Sequence, residues 1–173
     1  MTGQVAAGGS SRSKASLVVR SLLAAAWFAF CFFLLLPAGV LWATGAGFAP
    51  PPGATRWLGA AALLACHVAL VRQVRSFIVD GGGTHAPFDP PRAMIRHGDY
   101  ARTRNPMYLT YVGIALGEAL LYRSPALLAY ALALWGLAHL YLLTREEKLL
   151  RRRFGPEWDA YASRVPRWLP RLR

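Results

Sequence analysis

The sequence predicts an all-α integral membrane protein. It should have about four transmembrane helices including a C-terminal helical hairpin, plus a cytoplasmic loop and an amphipathic C-terminal helix. Three observations carry this. Of 173 residues, 55% are hydrophobic and only 16% are charged, against about 25% charged in a soluble domain. The apolar residues are also clustered. Ser21 to Ala49 is a run of 29 residues without Asp, Glu, Lys or Arg, and Ser124 to Thr144 adds 21 more, where a helix needs roughly 20 to cross about 30 Å of hydrocarbon. Finally, of 20 Lys and Arg, all but Arg56 and Arg123 fall in the N-terminus, the 72–104 loop or the tail after Thr144. By the positive-inside rule that asymmetry sets both termini in the cytoplasm, in a plasma or inner membrane.

The same figures exclude other classes. A disordered basic tail is not this hydrophobic, and a disulfide scaffold needs more than Cys31 and Cys66, both of which lie in apolar runs. The net charge of +12 is accounted for by segments lying against an anionic leaflet, so no nucleic-acid partner is expected.

The chain divides into an N-terminal segment (1–16), two spans (17–79) and a C-terminal region (80–173). The first span runs from about Leu17 to Trp42 behind Arg12, Lys14 and Arg20. It is about twice the 7–15 residues of a signal-peptide apolar core and reads as an uncleaved helix that Pro37 would kink. A breaker-rich loop from Thr44 to Thr55 follows. The second span, Trp57 to Val71, is short unless it continues through Val74, Phe77 and Ile78. Met107 to Tyr122 and Ala126 to Leu143 form the hairpin, which need not cross fully, around a tight turn at Tyr122-Arg123-Ser124-Pro125.

Most of the remaining polar chemistry lies in two pieces. The loop opens Asp80-Gly81-Gly82-Gly83 and continues through Ala86-Pro87-Phe88-Asp89-Pro90-Pro91, which is turn and extended chain, either a linker or a place where backbone approaches a ligand. It ends Gly98-Asp99-Tyr100-Ala101-Arg102-Thr103-Arg104-Asn105-Pro106-Met107-Tyr108. Pro106 suits the first turn of a helix and Asn105 its N-cap. The tail opens Thr144-Arg145-Glu146-Glu147, two carboxylates where a leaflet surface favours cations; Glu147 could pair with Arg151 one helical turn on, or the acids could serve a ligand. Gly155-Pro156 breaks the tail helix. Val165-Pro166-Arg167-Trp168 is extended, with Trp168 suited to the headgroup zone.

Gly-x-Tyr, Arg-Asn-Pro-Met-Tyr, a helical hairpin, Glu-Glu-x-x-Leu, Phe-Gly-x-x-Trp-x-x-Tyr and Val-Pro-Arg stand in that order between about Gly83 and Arg171. This half of the chain resembles the isoprenylcysteine carboxyl methyltransferase and phospholipid methyltransferase group. The resemblance implies an S-adenosylmethionine-dependent methyltransferase without a Rossmann domain, acting on a lipid or other lipophilic acceptor at the cytoplasmic leaflet. It implies that Met94 and Ile95 offer backbone contacts to the cofactor and that Tyr100 and Asn105, Pro106, Met107 and Tyr108 line its pocket. Glu146 and Glu147 would include the acid that takes its amino group. Arg102 or Arg104 could hold its carboxylate bidentately, and Tyr100 and Tyr108 could attract its sulfonium. Methyl transfer needs positioning and water exclusion, so no nucleophilic triad is expected and no catalytic residue is singled out. Prenylcysteine enzymes carry His where this chain has Asn105, and Arg where it has Leu142, which argues against a prenylcysteine carboxylate as acceptor. The alternative is a non-catalytic membrane protein of the same fold with a basic lipid- or partner-binding tail.

Other polar residues read more blandly. Glu118 should reach the far interface and pair with Arg123. His67 and His139 should make interhelical hydrogen bonds, since no further ligand completes a metal spacing. Gly113 and Gly117 should let the third and fourth helices pack closely. His85 and His97 are solvated loop residues without a visible partner.

Overall fold

The computed structural model describes residues 6–82 and 92–170, and the described residues form helices and no strands. Gly83, His85 and the 86–91 segment lie outside them. In chain order the helices are α1 (Ala6–Phe30), α2 (Leu36–Ala43), α3 (Ala54–Val79), α4 (Pro106–Tyr122), α5 (Pro125–Tyr141), α6 (Glu147–Phe154) and α7 (Pro156–Arg164). A π turn, Cys31–Leu35, joins α1 to α2, and another, Leu142–Glu146, joins α5 to α6.

Three continuous helical stretches are long and apolar enough to cross a membrane: Val18–Ala43, Ala54–Val79 and Pro125–Phe154. The second span gains its length by running on to Val79, as its sequence allowed. The third expected span, α4, has 17 residues, about 25 Å at 1.5 Å per residue, and falls short of the hydrocarbon thickness. It is instead the best-buried helix, with Ile114 and Ala115 wholly enclosed.

Proline 37 acts through the π turn rather than as a simple kink. The Leu36 N–H reaches back to Cys31 O and Pro37 has no N–H, so the Phe32 carbonyl loses its helical donors. The Tyr130 hydroxyl of α5 donates to it at 2.7 Å. In lipid no water could do so, and an unmet carbonyl costs several kcal/mol.

The Gly113/Gly117 pair serves α3, not the expected contact between the third and fourth spans. A Cβ on Gly113 would lie 2.7 Å from the Cys66 sulfur of α3, and one on Gly59 of α3 would lie 2.8 Å from Gly117 O. Small residues on both helices let the backbones meet. Phe28 of α1 stacks on Tyr111 of α4 at 4.6 Å, bringing the first span onto the same core.

The hairpin turn forms as read. Arg123 takes the left-handed conformation at φ 50°, and Ser124 Oγ caps α5 by accepting from Leu127 N at 3.3 Å. Glu118 does not pair with Arg123: it is buried, makes no ion pair among the described residues, and leaves Oε2 without a partner. The two histidines do not meet either. His67 Nδ1 contacts the Leu63 carbonyl of its own helix at 2.7 Å, while His139 accepts from the Trp168 indole at 3.0 Å.

Candidate functional site

Short sutures between the loop and the tail build the site. After Val79 the chain turns, and the Gly81 carbonyl accepts from Arg92 N at 2.7 Å, which closes the base of the loop. Gly98–Ala101 then forms one 3-10 turn. Asp99 in it meets Arg72 Nη2 at 3.4 Å and accepts from Gln73 Nε2 at 3.3 Å, and the same Gln73 amide donates to Thr110 Oγ1 of α4 at 3.0 Å. Gln73 is only 3% exposed. One buried amide thus fixes the 3-10 turn against both α3 and α4. Tyr100 next to it lies edge-on to Phe77 at 6.0 Å, and burial pushes its phenol well above the ordinary range.

The residues before α4 are held by the end of the tail. The Arg104 N–H donates to Pro166 O at 2.9 Å, and Thr103 Oγ1 and Asn105 Nδ2 both donate to Arg167 O at 3.0 Å. Asn105 stands at the N-cap position, but its side chain makes no capping bond. Its amide secures the 165–168 strap instead, a correction to the capping role read from sequence. The Tyr161 hydroxyl of α7 donates to Tyr100 O at 2.7 Å, and Arg96 pairs with Glu157 at 2.9 Å. The strap ends on Trp168, which packs against Trp135 and His139 at 6.0 Å each.

The two adjacent carboxylates emerge from the π turn, where the Glu147 N–H reaches back five residues to Leu142 O. They part company there. Glu146 Oε2 accepts from the Tyr108 hydroxyl, beneath Tyr111, which lies edge-on to Tyr108 at 6.3 Å. Glu147 takes Arg167 in a two-point pair, 2.7 Å from Nε and 2.9 Å from Nη2, with Arg104 Nη1 at 3.2 Å. Hydrogen bonding to Glu147 raises Arg167 above the ordinary guanidinium range, while burial lowers Arg104 despite the same carboxylate. The helical pair Glu147–Arg151 considered from sequence does not dominate, because Arg151 Nε bonds Asp159 at 2.7 Å.

Of the residues expected in one pocket, Tyr108 joins Glu146, and Arg104 joins Glu147. Asn105 and Pro106 are buried where α4 starts. Ile95 and Met107 are core residues at 7% exposure each, Met107 packing with Val74 and Tyr111, and Met94 is half-buried. Arg102 is exposed and takes no partner among the described residues. His97 does have one, Asp80 at 3.6 Å. Gln73 was missed, and the partners of Tyr161 and of the Arg167 side chain were not foreseen. A lone Gln inside an apolar span was the one signal available for Gln73; the others act on residues distant in sequence.

A family model described as phospholipid methyltransferase matches residues 55–157, more than half of the chain. The match takes in α3, which precedes the stretch of motifs that begins near Gly83, and stops before Tyr161 and the strap. No curated protein matches the chain.

Proposed function

The chain belongs to the phospholipid methyltransferase family, and from that premise we propose that it is an integral membrane S-adenosylmethionine-dependent methyltransferase. Its acceptor is a lipid or other lipophilic molecule at the leaflet facing the loop and tail, which the charge asymmetry makes the cytoplasmic one. The observation that carries this reading is the unequal state of the two carboxylates. Glu147 is already matched by Arg104 and Arg167, whereas among the described residues Glu146 meets a neutral phenol and no cation. A carboxylate held in this way calls for a cation.

The donor set fits the cofactor, which would supply an activated methyl on a sulfonium. Glu146 would take the ammonium, with Tyr108 holding the carboxylate in place. Tyr100 and Tyr108 present ring faces suited to a positive sulfur. Asn105, Pro106 and Met107 would form the wall where α4 begins, and the backbone of Met94 and Ile95 would offer the cofactor further contacts. Arg104 and Glu147, locked to Arg167, keep the strap over this wall and exclude water, so the chain contributes position and a dry environment to an in-line methyl transfer. Leu142, fully buried, offers no cation to an acceptor carboxylate, which favours an amine or neutral acceptor over a prenylcysteine.

Calorimetric titration of S-adenosylmethionine into the purified protein in lipid nanodiscs tests the proposal. Wild type should bind and Glu146→Gln should lose at least tenfold in affinity. Absence of binding by folded wild type would refute it.

A further inference from the structure

The strap is fixed at its far end by a bond that allows its acceptor one protonation state. An indole N–H only donates, so His139 Nδ1, 3.0 Å from Trp168 Nε1, is a bare acceptor and the neutral ring carries its proton on Nε2. Neighbouring rings hold the imidazole in this role. It stacks on Trp135, one turn earlier in α5, at 5.6 Å with 16° between the planes, and Trp168 leans against both rings at 6.0 Å. The elements packed around it bring no charge to bear. α5 offers Trp135 and the strap offers Trp168, both neutral. Arg167, beside Trp168, is turned to both oxygens of Glu147, and His139 makes no ion pair among the described residues.

The bond is therefore conditional. A second proton on the ring places an N–H at Nδ1, facing the indole N–H, and the attraction of donor for acceptor becomes an opposition of two donors. The cation so formed keeps its place on the face of Trp135, so the change falls on Trp168. Imidazole is the side chain whose charge ordinarily changes between pH 5 and 8. His139 is only half-buried and stands in the last turn of α5, where a proton from the aqueous side can reach it. We propose that the His139–Trp168 bond is a pH-sensitive latch, in which neutral His139 holds the end of the strap down and protonated His139 lets it go. Arg167 on Glu147 is a second anchor, so acidification loosens the strap without detaching its root. The latch acts on the strap whether or not the site beneath it binds a methyl donor.

Limited trypsin cleavage after Arg167, followed on the full-length protein in maltoside micelles at about pH 8 and about pH 5.5, tests this for wild type, Trp168→Phe and His139→Gln. Trp168→Phe has no latch at either pH and so corrects for the pH dependence of the protease itself. At the higher pH wild type should be cut about fivefold more slowly than Trp168→Phe, and at the lower pH that gap should close. His139→Gln, whose amide oxygen accepts from the indole without titrating, should keep its gap at both. A wild-type gap that survives acidification would overturn the proposal. So would a gap in His139→Gln that closes as the wild-type one does, which assigns the effect to another group. Nuclear magnetic resonance reads the bond directly, independent of how well glutamine substitutes. The Trp168 indole N–H signal, identified by its absence from Trp168→Phe, should titrate with the midpoint of the His139 ring in wild type and should not titrate in His139→Gln. An indole signal that ignores the His139 titration refutes the latch.

Discussion

Replacing Gly59 with Ala should destabilise the protein although alanine is the better helix former. A Cβ built at Gly59 lies 2.5 Å from Leu121 N, 2.8 Å from Gly117 O and 2.8 Å from Leu121 Cα. Carbon atoms are comfortable at about 3.5–4.0 Å, so the overlap is close to an ångström. Every atom it meets is backbone, which no rotamer change can move aside, and α3 and α4 must separate along their shared face. Overpacking of this kind costs about 1–3 kcal/mol, while the propensity gain of Ala over Gly returns about 1 kcal/mol. The net expectation is a loss of up to about 2 kcal/mol. Gly136 on α5 supplies the control, since a Cβ there meets nothing within 4 Å and Gly136→Ala should gain up to about 1 kcal/mol. Equilibrium unfolding of both variants in one detergent, followed by tryptophan fluorescence, should separate them by about 1–3 kcal/mol, the overpacking cost that Gly136→Ala does not carry. If Gly59→Ala proves as stable as Gly136→Ala, the close approach of α3 and α4 is not what holds the core.

Three further changes probe single contacts. Tyr130→Phe leaves the Phe32 carbonyl without a donor and should cost about 1–3 kcal/mol in the same unfolding assay; Pro37→Ala in that background restores an N–H and should recover part of the loss. Glu118→Met removes a buried carboxyl with an unpartnered oxygen and should raise stability by about 1–3 kcal/mol, whereas a fall in stability would show that the acid has a polar partner. Trp168→Phe keeps a ring against His139 but removes the indole N–H. At about 1 kcal/mol for the lost bond, the strap should open roughly fivefold more often, which limited trypsin cleavage after Arg167 would read; an unchanged rate would mean that the strap is held elsewhere.

Much of the architecture was legible because lipid makes hydropathy a strong signal: the spans, the hairpin turn at Arg123-Ser124 and the break at Gly155-Pro156 all follow from local residue chemistry. Partners were not legible in the same way. Glycine spacing showed that Gly113 and Gly117 wanted a close neighbour but could not say that it would be α3, because that choice depends on Gly59 and Cys66 more than 40 residues earlier. Asn105 carried a genuine capping preference, and a tertiary competitor, the Arg167 carbonyl, took its amide. The adjacency of Glu146 and Glu147 was plain, yet their separate fates depend on how the helix between α5 and α6 is wound.

That winding links the fold to the proposed site. In a regular α-helix neighbouring side chains already diverge by about 100°, and a π turn inserts one extra residue that rotates everything after it relative to the span before. Leu142 and Glu147, five residues apart, close such a turn here. With it, α5 keeps its apolar faces toward lipid and α4, and still delivers Glu146 to Tyr108 and Glu147 to Arg104 and Arg167. A single alanine inserted between Leu143 and Thr144 would carry everything after it about 100° further round. It would swing both carboxylates off their partners while changing the length of the span by only about 1.5 Å. On this argument the insertion should abolish cofactor binding and free the strap together, although each carboxylate would still be present in the chain.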